Sequence, residues 1–446
     1  MRQLRRLSVV LVAALVAVPG RADAAEGWTP LEEAGGHSLA VALGDGTTAL
    51  VSVGGPDEAT IYDQRRAADG TLGPATAVLT VSRADYCRPV DAATAIGNYA
   101  VAVECQTRTG LEDPPTTLVE LVWTGDDGWV WQVHRTSSLG TVDYSPQGQF
   151  ALFTSNSEYG RPHHVTSFNP DLGWRDVERR EVGPSGDRII GAIDDEGDVV
   201  VLRGAGFEDE PGYWFGGRLR VESYDYGSRR WTTKLTRRYP DGGISPSSID
   251  LAAGRITATL VRSRSTGRLN GRDAKVLVLS GRPSAPRSWS PAGWSPDVLT
   301  SSAATTQDGL SVVSWQAVVG RRTAKPWFAT WTPRQAEPVV SDLEWRTTLT
   351  NAARSGRAMD LSVTADGHGA ITWVRHRQGA DHASVAGASF RVDADGRLSE
   401  QVDVTWVRPA GVTVAVTAAV GASSVTLGRI ARSYVETPEV SYSLGP

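Results

Sequence analysis

Met359–Leu398 reads MDLSVTADGHGAITWVRHRQGADHASVAGASFRVDADGRL and contains short apolar runs separated by turn residues. Apolar and polar residues alternate on both sides of Asp366-Gly367, which is the period of a β-strand, and Asp-Gly is a frequent pair in hairpin turns. A longer linking segment follows, and then two more runs of the same kind. The stretch therefore predicts a unit of four antiparallel strands.

The same unit recurs along the whole chain. A glycine ends the first run of each copy, and successive copies are 49 to 58 residues apart: Gly46, Gly97, Gly148, Gly197, Gly254, Gly309, Gly367 and Gly421. Repeats of four short strands are typical of β-propeller blades. We therefore predict an all-β fold, a single β-propeller of four-stranded antiparallel blades over residues 25–446. Eight blades are favoured, and seven are the alternative.

The two ends of the chain suggest how the ring closes. The last copy has only three runs, Val412–Ala418, Ser424–Ile430 and Glu439–Leu444. The segment Gly27–Glu32 lies before the first copy and has the character of a fourth strand. Pairing this N-terminal strand into the final blade would remove an exposed sheet edge, so we predict a closure of three strands plus one.

The N-terminal residues 1–24 have the pattern of a secretory signal peptide. Arg2, Arg5 and Arg6 precede the apolar run Leu7–Val18, which is too short to span a bilayer, and small residues follow at Ala22 and Ala24. A twin-arginine export route is the alternative to the general one. No later apolar segment approaches the length of a membrane helix, so we expect a secreted protein without a membrane span.

Charge argues against a nucleic-acid partner. The full chain has a formal charge of −5, and removal of the four Arg and one Asp of residues 1–24 makes it about −8. Nucleic-acid-binding domains more often carry a basic excess. No cofactor motif is present, and we expect a monomer whose partner is a carbohydrate or a protein.

Two cysteines, Cys87 and Cys105, are the only ones in the chain. An even count in an exported protein favours a disulfide. Gly97 lies between them in a turn signal, so a hairpin would place the two cysteines roughly opposite each other. Two unpaired buried thiols are the alternative interpretation.

The longest predicted loops all lie at one end of the ring. In a four-stranded blade, the connection between the second and third strands and the link to the next blade emerge on the same face. These connections are long here, and we call this side the long-loop face; the opposite side has short turns such as Asp308-Gly309 and Asp366-Gly367. Because rigid scaffolds usually carry function on their loops, the long-loop face is the candidate binding face.

One predicted loop, Gly204–Gly217, is rich in aromatic and acidic residues. Aromatic rings stack on sugar or peptide surfaces while carboxylates accept hydrogen bonds, so this composition suits ligand binding. Packing of the rings onto their own blade is the alternative. The next loops along the chain are basic, with Arg262, Arg264 and Arg268 among them. The candidate ligand-binding residues are Phe207, Glu208, Asp209, Glu210, Tyr213, Trp214, Arg272, Arg321 and Arg322.

Metal and catalytic motifs are not evident. The pair His163-His164 and the histidines His368, His376 and His382 lack ligand spacing for zinc, and Asp393–Gly396 is only a fragment of a calcium loop. No nucleophile-elbow pattern occurs. The sequence thus predicts no metal site and no catalytic residue.

Turn sequences point to a resemblance at the level of fold. Thr124–Trp129 and Asn169–Trp174 lie at predicted turns between third and fourth strands, and Tyr224–Trp231 resembles a kelch or WD-type turn. Over nearly the whole mature chain, the sequence resembles exported actinobacterial propeller-repeat proteins grouped near the sialidases. Sialidases carry Asp-boxes of the form Ser-x-Asp-x-Gly-x-x-Trp, and the turns here are shorter and lack the serine. The resemblance implies a propeller and transfers no catalytic residue.

These observations predict a non-catalytic propeller that binds a carbohydrate or protein on its long-loop face. The alternative is a carbohydrate-active enzyme, a glycoside hydrolase or polysaccharide lyase, with carboxylates from several blades at the mouth of the channel. A purely structural protein of the cell envelope is a third possibility. Tryptophans that recur in the runs are expected to fill the space between blades: Trp123, Trp129, Trp131, Trp174, Trp231, Trp315, Trp331 and Trp373.

Overall fold

The fold is described from a computed structural model. It describes residues 29–30, 37–43, 47–54, 59–67, 71–82, 84, 86–95, 98–106, 116–125, 128–135, 140–145, 149–154, 163–171, 173–180, 188–210, 213–240, 242–265, 272–291, 298–318, 323–342, 347–348, 359–364, 366–376, 383–393, 395–401, 405–407, 412–420, 425–432 and 443–445. The predicted signal peptide, residues 1–24, lies outside these ranges. None of the described residues belongs to a helix that is long and apolar enough to cross a membrane.

The described residues form β-strands and no α-helix. In chain order the strands are β1 (Thr29–Pro30), β2 (His37–Ala42), β3 (Thr48–Gly54), β4 (Thr60–Arg66), β5 (Thr76–Thr80), β6 (Tyr86–Ala95), β7 (Asn98–Gln106), β8 (Thr116–Trp123), β9 (Trp129–Arg135), β10 (Gly140–Tyr144), β11 (Phe150–Thr154), β12 (His163–Asn169), β13 (Gly173–Arg180), β14 (Arg188–Ile193), β15 (Val199–Glu210), β16 (Tyr213–Asp225), β17 (Arg230–Tyr239), β18 (Ile244–Ala252), β19 (Arg255–Ser265), β20 (Arg272–Gly281), β21 (Arg287–Trp289), β22 (Val298–Thr305), β23 (Ser311–Val318), β24 (Thr323–Trp331), β25 (Val339–Asp342), β26 (Thr347–Thr348), β27 (Met359–Val363), β28 (His368–His376), β29 (Ala383–Val392), β30 (Leu398–Gln401), β31 (Thr405–Val407), β32 (Val412–Val420), β33 (Val425–Arg432) and β34 (Ser443–Gly445).

Strands that are consecutive in sequence pair into antiparallel sheets. Four sheets have the simple orders β6-β7-β8-β9, β10-β11-β12-β13, β14-β15-β16-β17 and β18-β19-β20-β21. The sheets β22-β23-β24-β25 and β27-β28-β29-β30 each gain one short strand, β26 on β24 and β31 on β29. The first strand of each sheet lies against the first strand of the next, and β2 contacts both β6 and β32. The chain is therefore an all-β propeller, as the repeat predicts.

The two ends of the chain meet in one sheet. β1 pairs antiparallel with β34, with Thr29 opposite Leu444 and Pro30 opposite Ser443, which is the closure that Gly27–Glu32 predicts. The same sheet also contains β2 to β5, joined to β33 through the single pair Leu39 and Ile430. Because this sheet carries both chain ends, the number of blades stays a prediction, with eight favoured over seven.

Short turns on the face opposite the long loops explain several of the repeated glycines. Gly309 has a φ of 85°, donates its N–H to the Thr306 carbonyl at 2.9 Å, and ends the turn between β22 and β23. Gly367 has a φ of 80° and donates to Thr364 at 3.0 Å. Residues other than glycine are strained at such positive φ values, so Gly is favoured at this position of the hairpin. The predicted Asp308-Gly309 and Asp366-Gly367 turns are confirmed, and Asp45-Gly46 lies outside the described residues.

The apolar core lies between neighbouring sheets. One cluster joins the sheet of β2 to that of β6 through Leu39, Val51, Ile61, Tyr99 and Leu121, each of which is at most 1% exposed. Full burial of such a side chain stabilises the fold by roughly 1.5–3 kcal/mol. Because these contacts cross from one sheet to the next, they hold the ring together and make the sheets interdependent.

Polar side chains also join the first strands of neighbouring sheets, each of which is an edge strand in the described part of the chain. Asp250 on β18 accepts the N–H of Thr305 on β22 at 2.5 Å and that of Leu251 at 2.9 Å. Ser248 accepts the N–H of Ala303 at 3.1 Å. These side chains satisfy backbone N–H groups that a strand edge otherwise leaves unpaired.

Asp250 predicts a pH dependence of stability. Burial raises its pKa to about 6, although the two N–H donors act in the opposite direction. The folded protein therefore favours the protonated carboxyl. This contribution is complete below about pH 4, where the unfolded chain is also protonated, and is lost as the pH rises through 6. We expect the free energy of unfolding to fall between pH 4 and 7, by up to about 3 kcal/mol from this group.

Denaturant unfolding between pH 4 and 7 measures this dependence in wild type and in Asp250→Asn. The amide keeps an oxygen acceptor but does not titrate, so the variant should show a flatter pH dependence. Asp225→Asn is the matched control, because the N–H of Ser228 lowers the pKa of exposed Asp225 and takes its titration below this window. Equal slopes for wild type and Asp250→Asn would contradict the assignment.

The two cysteines form the predicted disulfide. Cys87 on β6 lies directly opposite Cys105 on β7, with Cα atoms 4.0 Å apart, and a bond joins the two sulfur atoms. Both residues are buried at the interface with the sheet of β2 to β5. The hairpin that the turn at Gly97 predicts is therefore present, and it places the thiols in register.

Candidate ligand-binding ribbon and its basic neighbour

The stretch Gly204–Gly217 is a strand hairpin and not the long loop that we predicted between a second and a third strand. β15 runs on to Glu210 and β16 begins at Tyr213, so only residues 211–212 between them are undescribed. Glu208 lies opposite Trp214, and Glu210 lies opposite Tyr213. Strand pairing therefore brings the acidic and aromatic residues of the candidate site into register, whereas the prediction placed them in a loop.

This hairpin extends beyond the rest of its sheet. β14 pairs with β15 only as far as Gly204, and β17 pairs with β16 only from Gly217 onward. Within the described residues, the remainder is a two-stranded ribbon with no strand on either side. We call residues 205–216 the ribbon. Six residues on its first strand give a length of roughly 20 Å.

Glycines at the base of the ribbon allow it to pass close to the next sheet. A Cβ atom on Gly204 would lie 2.3 Å from Cδ of Pro246 and 2.5 Å from the carbonyl oxygen of Ile244. A Cβ atom on Gly217 would lie 2.7 Å from the carbonyl oxygen of Gly242. Both glycines lie against one segment, residues 242–246, and this close contact fixes where the ribbon leaves the sheet.

The predicted candidate residues divide between described and undescribed parts of the chain. Phe207, Glu208, Asp209 and Glu210 lie on β15, and Tyr213 and Trp214 lie on β16. Arg272 opens β20, opposite Ser265. Arg321 and Arg322 lie outside the described residues. The structure therefore brings the acidic and aromatic members of the set together on one ribbon, and it places Arg272 in the neighbouring sheet.

Basic residues of that neighbouring sheet gather at the same end of the ring. Arg262 lies opposite Lys275 on β19 and β20, and the Arg264 guanidinium pairs with the Asp273 carboxylate at 3.1 Å. Burial, together with Arg262 and Arg264, lowers the pKa of Lys275. The arginines at 262 and 264 were singled out from sequence. Lys275 was missed, although it alternates with Asp273 along the strand.

Tyr239 links this basic group to the sheet that bears the ribbon. The guanidinium carbon of Arg262 lies 5.1 Å from the centre of the Tyr239 ring, close enough for a cation–π contact. Burial raises the pKa of the Tyr239 hydroxyl. Because Tyr239 also lies opposite Gly217, the base of the ribbon and the basic group are adjacent.

The carboxylates on inner strands have structural partners. Asp143 accepts the N–H of Ile193 at 2.7 Å, and Asp250 accepts that of Thr305. The acidic turn at Asp194 and the turn at Asp393 likewise use side-chain oxygens to accept backbone N–H groups of Asp198 and Arg397. Each of these carboxylates therefore stabilises the ring or a turn. Among the described residues, no three His, Cys, Asp or Glu side chains are grouped as a metal would require.

Among the tryptophans whose side chains the structure describes, most are buried or half-buried and Trp131 is exposed. Trp315, Trp331 and Trp373 are at most 4% exposed. Trp131 lies on the outermost strand β9 and is 46% exposed, so the prediction that it packs in the core is wrong. An outermost strand is flanked on only one side, which leaves this residue uncovered.

Comparison with solved structures finds propellers. The β-propeller domain of the Trilobed protease from Pyrococcus furiosus is 10% identical, covers 80% of this chain and 94% of its own, and has a TM-score of 0.44. A fucose-specific lectin from Aleuria aurantia is 12% identical over 70% of this chain and 94% of its own, with a TM-score of 0.37. Trypanosoma rangeli sialidase is 10% identical over 93% of this chain and 55% of its own, with a TM-score of 0.36. No protein-family model and no curated protein matches the sequence.

Proposed function

We propose that this protein is an exported, non-catalytic propeller that binds a carbohydrate or a protein on its long-loop face. The observation that carries the proposal is the ribbon, which extends beyond the sheet and sets Glu208 opposite Trp214 and Glu210 opposite Tyr213. An acid next to an aromatic residue offers a hydrogen-bond acceptor beside a stacking surface, and this combination suits a sugar or a peptide.

Two further features support the proposal. The base of the ribbon lies against residues 242–246 at Gly204 and Gly217, so a ligand meets a positioned hairpin and its binding costs less ordering entropy. Export is supported by the signal-like residues 1–24 and by the disulfide, because disulfides persist mainly in oxidising compartments.

A ribbon excision tests the proposal on the mature protein. Residues 207–216 are replaced by an Asn-Gly turn joining Gly206 to Gly217, which already face each other across the hairpin. Binding is measured on a glycan array and, for hits, by calorimetry. We expect the excised protein to melt normally and to lose at least tenfold in affinity. Trp131→Ala, an exposed tryptophan far from the ribbon in the chain, is the matched control and should bind normally.

Point changes refine the outcome. Glu208→Gln with Glu210→Gln keeps the shape and removes the charge, whereas Trp214→Ala removes the stacking surface. A bound glycan that is unaffected by excision would overturn the assignment of the site. Hydrolysis or elimination of a bound glycan, lost in Glu208→Gln, would replace the proposal with the carbohydrate-active enzyme.

A further inference from the structure

Four arginines form two cross-strand pairs on the sheet that bears the ribbon. Arg203 on β15 lies directly opposite Arg220 on β16, and Arg218 on β16 lies directly opposite Arg238 on β17. Directly opposed residues have Cβ atoms about 5 Å apart and share a face. Arg218 and Arg220 are two residues apart on one strand, so all four side chains belong to the same face.

The neighbouring core residues identify this face. Val201 and Tyr224, which share its parity on β15 and β16, pack with Phe153 and Val165 of the preceding sheet. Leu219 and other residues of the opposite parity pack toward the following sheet. The arginines therefore lie on the side of the preceding sheet, beyond its apolar contact and next to the base of the ribbon. Arg203 is buried, at 7% exposed, so we call the three accessible arginines, Arg218, Arg220 and Arg238, the arginine face.

Within the described residues, no ion pair balances the charges of Arg218, Arg220 and Arg238. Like charges placed directly opposite each other destabilise a sheet. Arg218 and Arg220 are half-buried and Arg238 is exposed, and no carboxylate in the described part of the chain forms an ion pair with any of the three. The nearby carboxylate of Glu222 is 3% exposed and accepts a hydrogen bond from the Thr233 hydroxyl at 3.5 Å. An anion between Arg218 and Arg238 would relieve their repulsion.

We propose that the arginine face binds an anionic polysaccharide through its carboxylate or sulfate groups. The planar guanidinium donates paired hydrogen bonds to such groups. Arg238 is exposed on β17, the outermost strand of its sheet, so an extended polymer can reach this face from solvent. The formal charge of the whole chain, −5, disfavours the denser charge of a nucleic acid. This site does not depend on a ligand at the ribbon.

The test uses the intact mature protein with dextran sulfate, polygalacturonate and neutral dextran as probes. Binding of dextran sulfate indicates a sulfate site, and binding of polygalacturonate indicates a carboxylate site. Binding of neutral dextran indicates an interaction that does not require charge. The variant is Arg218→Gln, Arg220→Gln, Arg238→Gln. The matched control removes the same charge from exposed arginines in turns at the opposite end of the ring: Arg282→Gln, Arg334→Gln, Arg397→Gln.

We expect wild type to bind a charged polymer and not dextran, with affinity that falls as salt rises. The affinity of the arginine-face variant for the charged polymer should fall at least tenfold, and that of the control should stay within twofold of wild type. Loss of the repulsion should leave the variant at least as stable as wild type at low salt. If it nevertheless unfolds, Arg218→Lys, Arg220→Lys, Arg238→Lys keeps the charge, and weaker binding by this variant still supports paired hydrogen bonds.

Three results would overturn the proposal. Equal losses of affinity in the two triple variants would show that the polymer responds to the total positive charge of the protein and not to this face. If wild type bound neither charged polymer, the proposed site would not exist. Tighter binding to a single-stranded oligonucleotide, lost in the arginine-face variant, would replace the polysaccharide with a nucleic acid. The ribbon excision separates this site from the function proposed above, because the excised protein should still bind the polymer.

Discussion

Replacement of Trp315 by Ala is expected to lower the free energy of unfolding by about 3–5 kcal/mol, the range for a large aromatic residue removed from a core. Trp315 is 1% exposed on β23. Its ring lies edge-on to Trp289 of the preceding sheet, with centroids 6.2 Å apart, and stacks parallel to Trp327 at the same distance. The substitution therefore leaves a cavity where the two sheets pack against each other.

Denaturant unfolding monitored by circular dichroism measures this loss. Trp131→Ala is the matched control, since the same side chain is 46% exposed there and should change stability by no more than about 0.5 kcal/mol. A loss at Trp315 as small as the control value would contradict a core role for the Trp289–Trp315–Trp327 group.

Loss of the Cys87–Cys105 disulfide is expected to destabilise the protein by about 3 kcal/mol, the value for a closed loop of this size. The two cysteines are 18 residues apart in the chain. The bond shortens the loop that the unfolded chain can explore, and the buried sulfur atoms also contribute packing. Both effects favour the folded state.

Thermal unfolding with and without a phosphine reductant checks this expectation. Wild type should melt at a lower temperature when reduced, and Cys87→Ala with Cys105→Ala should melt at one temperature in both buffers. Alkylation followed by mass spectrometry provides the second readout. Modification of both cysteines in the absence of reductant would refute the bond.

Local chemistry made much of the fold predictable. The alternation around Asp366-Gly367 and the turn at Gly97 each specify a hairpin from residues close together in the chain. The cysteine register follows from the same hairpin, because Cys87 and Cys105 lie at similar distances from its turn. Closure by Gly27–Glu32 was also foreseen, since an unpaired edge strand requires a partner.

The ribbon was predicted as a loop because it lies between two recognised runs, Val199–Leu202 and Arg218–Tyr224. At its base, Gly204 and Gly217 lie so close to residues 242–246 that no space is left for a Cβ atom. This requirement for glycine comes from contacts with a different repeat, which cannot be predicted from the neighbouring residues in the sequence. The acidic and aromatic composition was recognised, whereas the pairing of Glu208 with Trp214 required the strand register.

The sequence also did not show which side chains lie on the surface. Trp131 resembles the buried tryptophans in sequence, but β9 is the outermost strand of its sheet and leaves it exposed. The alternating Arg218 and Arg220 are visible in the sequence, and this signal could have marked the arginine face. Their opposition to Arg238 and Arg203 depends on pairings across three strands, which the repeat length alone does not fix.

The pairing of β1 with β34 has a consequence for how the protein folds. Thr29 and Leu444 are among the first and last residues of the described chain, yet they meet in one strand pair. Contacts so far apart in sequence carry a large loop-closure entropy and form slowly. Individual hairpins can form while the chain is being made, but the ring can be sealed only after β34 has emerged. Until then, the edge of β33 is open to other chains, and this interval is when the protein is most prone to aggregate.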